Sequence, residues 1–279
     1  MITRMTGIFI AAMIAATMAM PATAQQVKRG ITKVTGDVYR AQSNFHFSLV
    51  VVTSAGVVVV DPINGGAANW LKANLKTITD KPVTHLIYSH SHGDHASGGA
   101  NLGAKTVVAH ANAPAAIDGV KPTLRFEDTK TLKVGGKTFE LTYLGKGHGT
   151  DLIAVVVRPE NVGFIVDAAS PKRLPYRDMP HSDIDAWIDQ VRKVESLNFT
   201  IFAPGHGGIG NKADATDARV YMEKLRAQVL AGLKAGKSAD DLAKSVTMDA
   251  YKDWQQYKAW RELNVRGMAQ YLTATGKGK

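Results

Sequence analysis

The chain has 279 residues, 34 of them basic and 24 acidic, a formal charge of +10 and no cysteine. Disulfide staples, thiolate nucleophiles and cysteine metal ligands are therefore excluded. The basic residues are scattered, no cluster being longer than a pair such as Lys172-Arg173, and no basic stripe alternates with aromatics. The charge reads as a solvated surface, not as a nucleic-acid footprint.

Residues 1–24 have the layout of a secretory signal peptide. Arg4 precedes an apolar run from Gly7 to Met20, and Pro21 leads into the small-residue triplet Ala22-Thr23-Ala24. The run is shorter than the roughly 20 residues that span a bilayer. Cleavage is expected after Ala24, giving a periplasmic or secreted protein with no remaining membrane anchor. Residues 25–279 are enough chain for a single α/β domain with a sizeable core.

"FSLVVVTS" and "GVVVVDP" are apolar, β-branched runs around Ala55-Gly56 and predict a buried hairpin. "GGAANWLKANLKTITD" follows with Trp70, Leu71, Leu75 and Ile78 on one helical face. "VTHLIYSH" and "AKTVVAH" are the next predicted strands. "KTFELTYLGKG", "DLIAVVVRP" and "VGFIVD" are a second set. Ser182 is the expected cap of a helix over "DIDAWIDQVRKVESL", whose apolar face is Ile184, Trp187, Ile188, Val191 and Val194. "FTIFAPGHG" is a strand and loop. From about residue 213 to 279 the pattern is mostly helical, with Val220, Leu225, Val229, Leu230 and Leu233 on one face of a long helix. Hairpin-like pairs outnumber β-α-β crossovers in the first half. Two mixed sheets packed face to face with helices outside are expected, in preference to a doubly wound parallel sheet.

Nine histidines occur in the chain, and three of them fall between His90 and His95, in "SHSHGDH", with Asp94 among them. Side chains two apart at a strand end point the same way, so His90 and His92 face one point. Asp94 and His95 sit in the turn that follows, and Gly93 is expected to supply its backbone freedom. Neutral imidazoles and a carboxylate at this density suit zinc. One zinc rarely takes four ligands and keeps a position open, which directs attention downstream. His148 in "GKGHGTD", Asp167 in "VGFIVDAAS" and His206 in "APGHGG" all sit where strands begin or end. His85 reads as core or as a support for the cluster. His110 follows a strand, His181 precedes a helix, and His46 reads as a surface or packing residue.

"HSHGDH", "GHGTD", "VDAAS" and "PGHGG", in that order, resemble the metallo-β-lactamase fold superfamily over roughly residues 30–210. The resemblance implies a four-layer αββα sandwich with a site for two Zn2+ ions at one edge of the sheets. Carried over, His90, His92 and His148 hold the first ion, Asp94, His95 and His206 the second, and Asp167 bridges them. Asp94 is also the candidate catalytic residue, orienting water and moving its proton. The commonest β-lactamase subclass has cysteine where Asp167 stands; another shares the histidine at 95 but lacks the bridging aspartate. The all-His/Asp set is more similar to glyoxalase II, lactonases and related hydrolases. Many lactonases have a tyrosine where Ser170 stands, and some β-lactamases a substrate-binding lysine. Lys172 and Arg173 lie close enough to anchor a substrate carboxylate instead.

The resemblance implies a zinc-dependent hydrolase attacking a carboxylic acyl bond of a small molecule, a β-lactam or lactone first. The alternatives are a thioesterase of glyoxalase II type, a phosphodiesterase or sulfatase, and a non-catalytic periplasmic zinc-binding protein. No G-x-S-x-G elbow is present.

Overall fold

The computed structural model describes residues 26–180 and 182–278; the expected signal peptide and His181 lie outside them. Val57 to Val60 are each fully buried, so both faces of that strand must be covered. Alternation of side chains decides what covers them. Val58 and Val60 join Leu49, Val51, Phe139 and Val155 in one core, while Val57 and Val59 join Ala68, Leu71 and Leu86 in another. Val155 and Val157 face the first of these cores, and Ala154 and Val156 face a third, with Trp187, Val191 and Leu225. Three cores separate four layers: helix, sheet, sheet, helix.

The first sheet takes its seven strands in sequence order: β1 (Arg29–Thr35), β2 (Val38–Ser43), β3 (His46–Thr53), β4 (Gly56–Val60), β5 (Val83–Ile87), β6 (Thr106–His110) and β7 (Leu124–Phe126). β1 to β4 pair antiparallel and β4 to β7 parallel. The second sheet comprises β8 (Thr129–Val134), β9 (Lys137–Tyr143), β10 (Ile153–Arg158), β11 (Val162–Ile165), β12 (Ile201–Pro204) and β13 (Gly210–Asn211). Their order is β13-β12-β11-β10-β9-β8, with only β11 and β12 parallel. The expected mixed sheets are present. β1 and β2 were not expected from the sequence: β1 alternates only among half-buried and exposed positions, a weak apolar signal.

α1 (Gly65–Asn74) covers the first sheet, its N-terminus capped by Asn64, whose side chain accepts from the Ala67 amide. α2 (Gly93–Ala96) is a single turn. α3 (Ile184–Ser196) buries the five apolar residues its periodicity identifies. Its cap is Asp183, accepting from the Ala186 amide at 3.1 Å, and not Ser182, whose hydroxyl donates to the Pro180 carbonyl. α4 (Ala213–Lys234), α5 (Ala239–Ser245) and α6 (Tyr257–Ala274) complete the outer layer on the second sheet. On α4, Leu225 and Val229 are buried, but Val220, Leu230 and Leu233 only partly; Tyr221 and Met222 take the central place. Among the described residues no helix is long and apolar enough to cross a membrane.

Candidate metal centre

Six imidazoles and two carboxylates converge where the two sheets end. One group is His90, His92, His148 and Asp167; the other is His46, Asp94, His95 and His206. Within each group one ligand atom per residue lies within 4.8 Å of all the others. All seven donors expected from the sequence are brought together, and His46 joins them.

The segment from Tyr88 carries the first donors off the end of β5. His92 remains extended and α2 begins at Gly93, which places Asp94 and His95 on that one turn. Asp61, at the end of β4, organises the segment. It is fully buried, with φ +62°, and accepts from the Ser89 amide and from the Ser89 hydroxyl, each at 2.7 Å. The hydroxyl proton is thereby committed to Asp61. The Ser89 oxygen, 3.0 Å from His90 Nδ1, must then accept from the imidazole. This assigns the Nδ1–H tautomer to His90 and leaves Nε2 with a bare lone pair. That buried Nε2 has no hydrogen-bond partner and lies 3.4 Å from Asp167 Oδ2.

His206 is held the same way: its Nδ1–H donates to the Phe45 carbonyl at 2.8 Å, freeing Nε2. The loop that carries it is clamped by Arg40, a buried guanidinium on β2. Arg40 donates to the Pro204 and Gly207 carbonyls and stacks on Phe47, its Cζ 3.8 Å from the ring centroid. Burial lowers its pKa to about 10, which leaves it charged. His148 is fixed by α3: its amide donates to Gln190 Oε1 at 2.8 Å, and its ring packs on Trp187. Gly147 must be glycine. Its φ is +156°, and a Cβ there would come within 2.7 Å of the Trp187 backbone.

Asp167 follows β11 in the left-handed region, φ +54°, a strained position for a residue with a side chain. Its Oδ2 lies 3.2 Å from His148 Nε2 and 3.6 Å from His95 Nε2, and its Oδ1 lies 3.1 Å from His206 Nε2. The carboxylate therefore touches both groups. Although it is buried, the neighbouring histidines, the charge of His95 above all, hold its pKa well below the usual range. His95 is held in protonated form up to about pH 9; burial opposes this, but Asp167, Asp61 and Asp94 together outweigh it. Its Nδ1 is 3.6 Å from Asp61 Oδ2, an ion-pair contact too long for a hydrogen bond. His92 shifts the other way, to about 4, through burial and the nearby imidazoles of His90 and His148.

These residues fit metal ions. His95 Nε2 and His206 Nε2 face each other at 3.0 Å, and His148 Nε2 and His92 Nδ1 at 3.2 Å. Paired imidazole nitrogens aimed at one another around carboxylates need either a shared proton or a cation between them. The orphaned His90 Nε2, with its tautomer set from outside, favours the cation. Ions held here would polarise a carbonyl and lower the pKa of water. Asp94 projects toward the cavity, its side chain 55 % exposed. The hydrogen bond with His46, more than the charge of His95, keeps its pKa far below the usual carboxylate range. An ionised carboxylate there suits a cation and accepts hydrogen bonds.

A cavity of about 760 Å³ opens on the donors. Its far wall is Leu174, Met179, Trp187, Met222, Trp254 and Trp260, from α3, α4, α6, the loop after Asp167 and the bend that precedes α6. Arg173 lines it and Lys172 does not; Lys172 is exposed. The Arg173 guanidinium stacks on Trp260 at 4.7 Å and has no acidic partner among the described residues. Burial lowers its pKa, against the opposing pull of Asp167.

Two readings of the sequence change, and one residue gains a role. Gly93 has no positive φ, and a Cβ there meets only Ser97 Oγ at an ordinary 3.7 Å, so it is not the residue that shapes the loop. Ser89, given no role by the sequence, links Asp61 to the His90 ring. His46 is not a surface residue but a member of the second group. His110 stands apart: it stacks on Tyr143 and contacts the Glu127 carbonyl. His85 pairs with Thr84. The supports Asp61, Arg40 and Gln190 were passed over. Asp61 alone had a signal, a carboxylate directly after "GVVVV".

The profile of the family described as the metallo-beta-lactamase superfamily matches residues 43–206. The chain belongs to that superfamily. The 2,4-dinitroanisole O-demethylase subunit alpha of a Nocardioides species is 27 % identical over 79 % of this chain and 68 % of its own. A type 2 metallo-beta-lactamase of Elizabethkingia meningoseptica is 29 % identical over 57 % of this chain and 68 % of its own. Among solved structures, a metallo-beta-lactamase from Pontibacter korlensis superposes with a TM-score of 0.63 at 20 % identity, covering 70 % of this chain and 99 % of that one. The stereoselective inverting sec-alkylsulfatase Pisa1 from a Pseudomonas species gives 0.72 at 16 % identity, covering 87 % of this chain but 50 % of that one. At these identities the two structures share the fold.

Proposed function

We propose that this protein is an exported hydrolase with two zinc ions, opening a carboxylic acyl bond, a lactam or lactone, in a small apolar molecule that carries an acid group. The observation that carries the acid group is Arg173. An arginine held against Trp260 beside the donors, with no carboxylate of its own among the described residues, offers its donors to a ligand anion. The tryptophan-lined wall supplies the apolar end. Export rests on the layout of residues 1–24, and N-terminal sequencing of the processed protein should begin at Gln25.

The test is to purify the processed chain, count its metal and screen substrates in parallel. The panel is nitrocefin, an acidic and a neutral γ-lactone, S-lactoylglutathione, bis-p-nitrophenyl phosphate, a secondary alkyl sulfate and 2,4-dinitroanisole. Turnover of nitrocefin or the acidic lactone ahead of the rest is expected. Turnover confined to the sulfate, thioester, phosphate or ether replaces the acyl reading with that class. Two bound metals with no turnover of any would leave a metal-binding accessory protein.

A further inference from the structure

We infer that His46 is a ligand of the second metal ion, which would make six histidines rather than five the imidazole complement of the centre. This rests on reading the two groups as metal sites and on no particular substrate.

Backbone contacts place the residue without help from its ring. His46 forms a β-bridge with His206, and the Phe47 amide donates to the Gly205 carbonyl at 2.9 Å. Arg40 stacks on Phe47 and holds the Gly207 carbonyl, locking the two segments together. The start of β3 is thus bolted to the loop that carries an expected ligand.

The ring then completes a donor polyhedron. His46 Nε2 is 3.1 Å from Asp94 Oδ2, His95 Nε2 is 3.0 Å from His206 Nε2, and His95 Nε2 is 3.7 Å from Asp94 Oδ2. Donors about 2.1 Å from one ion are separated by about 3.0 to 3.4 Å, the edges of an octahedron or tetrahedron. The observed separations bracket that range. Ring centroids of His46 lie 4.6 Å from His206 and 5.3 Å from His95, all edge to face, so three imidazoles surround one carboxylate. With Asp167 Oδ1 at 3.1 Å from His206 Nε2, the second group gathers five nitrogen and oxygen donors against four in the first. The competing arrangement is a hydrogen bond in which His46 orients Asp94 and never meets the ion.

Cobalt substitution separates the two. In the full processed chain loaded with two equivalents of Co2+ and labelled with 15N-histidine, each ligating imidazole gives one hyperfine-shifted set of resonances. Six sets are expected in the wild type. His46→Ala and His46→Gln should each show five, with the visible absorption of the second site altered and metal retention during dialysis against chelator reduced for one equivalent only. Five sets in the wild type, with the spectrum of either variant unchanged, would overturn the assignment and leave His46 as a positioning residue for Asp94. The wild-type count decides the matter even if a variant misfolds. Circular dichroism of the metal-free variants identifies that case.

Discussion

The rim of the cavity and its wall are built from different parts of the molecule. The rim is the set of donors at the strand ends, three of them fixed by groups outside it: Asp61 through Ser89 behind His90, Phe45 and Arg40 behind His206, Gln190 behind His148. The wall comes from α3, α4, α6 with the bend before it, and the loop after Asp167, and holds Trp187, Trp254 and Trp260 with Arg173. The matched family segment ends at residue 206, so the α4 and α6 part of the wall lies beyond it. On the proposed function, chemistry and choice of substrate should be separable. Rim substitutions should change metal content and kcat, and wall substitutions KM and selectivity.

Asp167→Ala gives the sharpest form of that contrast. It removes the only carboxylate that touches both groups among the described residues, and hydrolysis should fall about a thousandfold or more, since metal polarisation is worth several kcal/mol. Metal analysis should show loss at both groups; full occupancy with normal turnover would break the rim account. Asp61→Asn keeps the volume but removes the charge that holds Ser89 and faces His95. Metal affinity should drop about 10- to 100-fold, as for other lost supports of metal ligands, read by competition with a chromophoric chelator.

In the wall, Arg173→Met should raise KM for an acidic lactone about 10- to 100-fold, a charge-assisted contact of about 1.5–3 kcal/mol, and leave kcat and the neutral lactone alone. Lys172→Met should do neither, and a large effect there would move the anion site away from Arg173.

The two groups should also differ in pH dependence. His92, with its pKa near 4, is already neutral at pH 7, whereas His95 keeps its proton until about pH 9. Binding at the second group must displace that proton, so its affinity should rise about tenfold per pH unit up to pH 9, while His92 imposes no such slope on the first. The sign for stability of the metal-free protein is the reverse. A histidine raised from 6.5 to about 9 contributes stability fully present below pH 6.5 and lost as pH climbs through 9. Thermal melting of the chelated protein should show that loss, and a flat profile from pH 6.5 to 9 would contradict the His95 assignment.

The rim was legible in the sequence because metal ligands need particular residue types at strand ends, and "HSHGDH" has them at one-dimensional spacing. The layered fold was legible where burial on both faces forces continuous apolar runs, as in β4 and β10. β1 was not, because a half-exposed edge strand needs no such run, and β2 was not, because it buries Arg40 and Ser43 among its few apolar residues. His46 escaped notice since its place is set by a β-bridge to a residue far along the chain, which leaves no local pattern. The same holds for Arg40, whose partners are Pro204 and Gly207. The wall was the least readable part: Trp254 and Trp260 look like ordinary core residues until α6 and the bend before it are seen to face the donors.

The central claim is that the two groups, joined by Asp167, act as one centre. Its most direct test is the initial rate of hydrolysis of the best substrate, measured as metal is added back to the metal-free protein. The structure predicts a rate that depends on both sites and reaches its plateau at two equivalents per chain. A plateau at one equivalent, or a rate indifferent to metal, would contradict it.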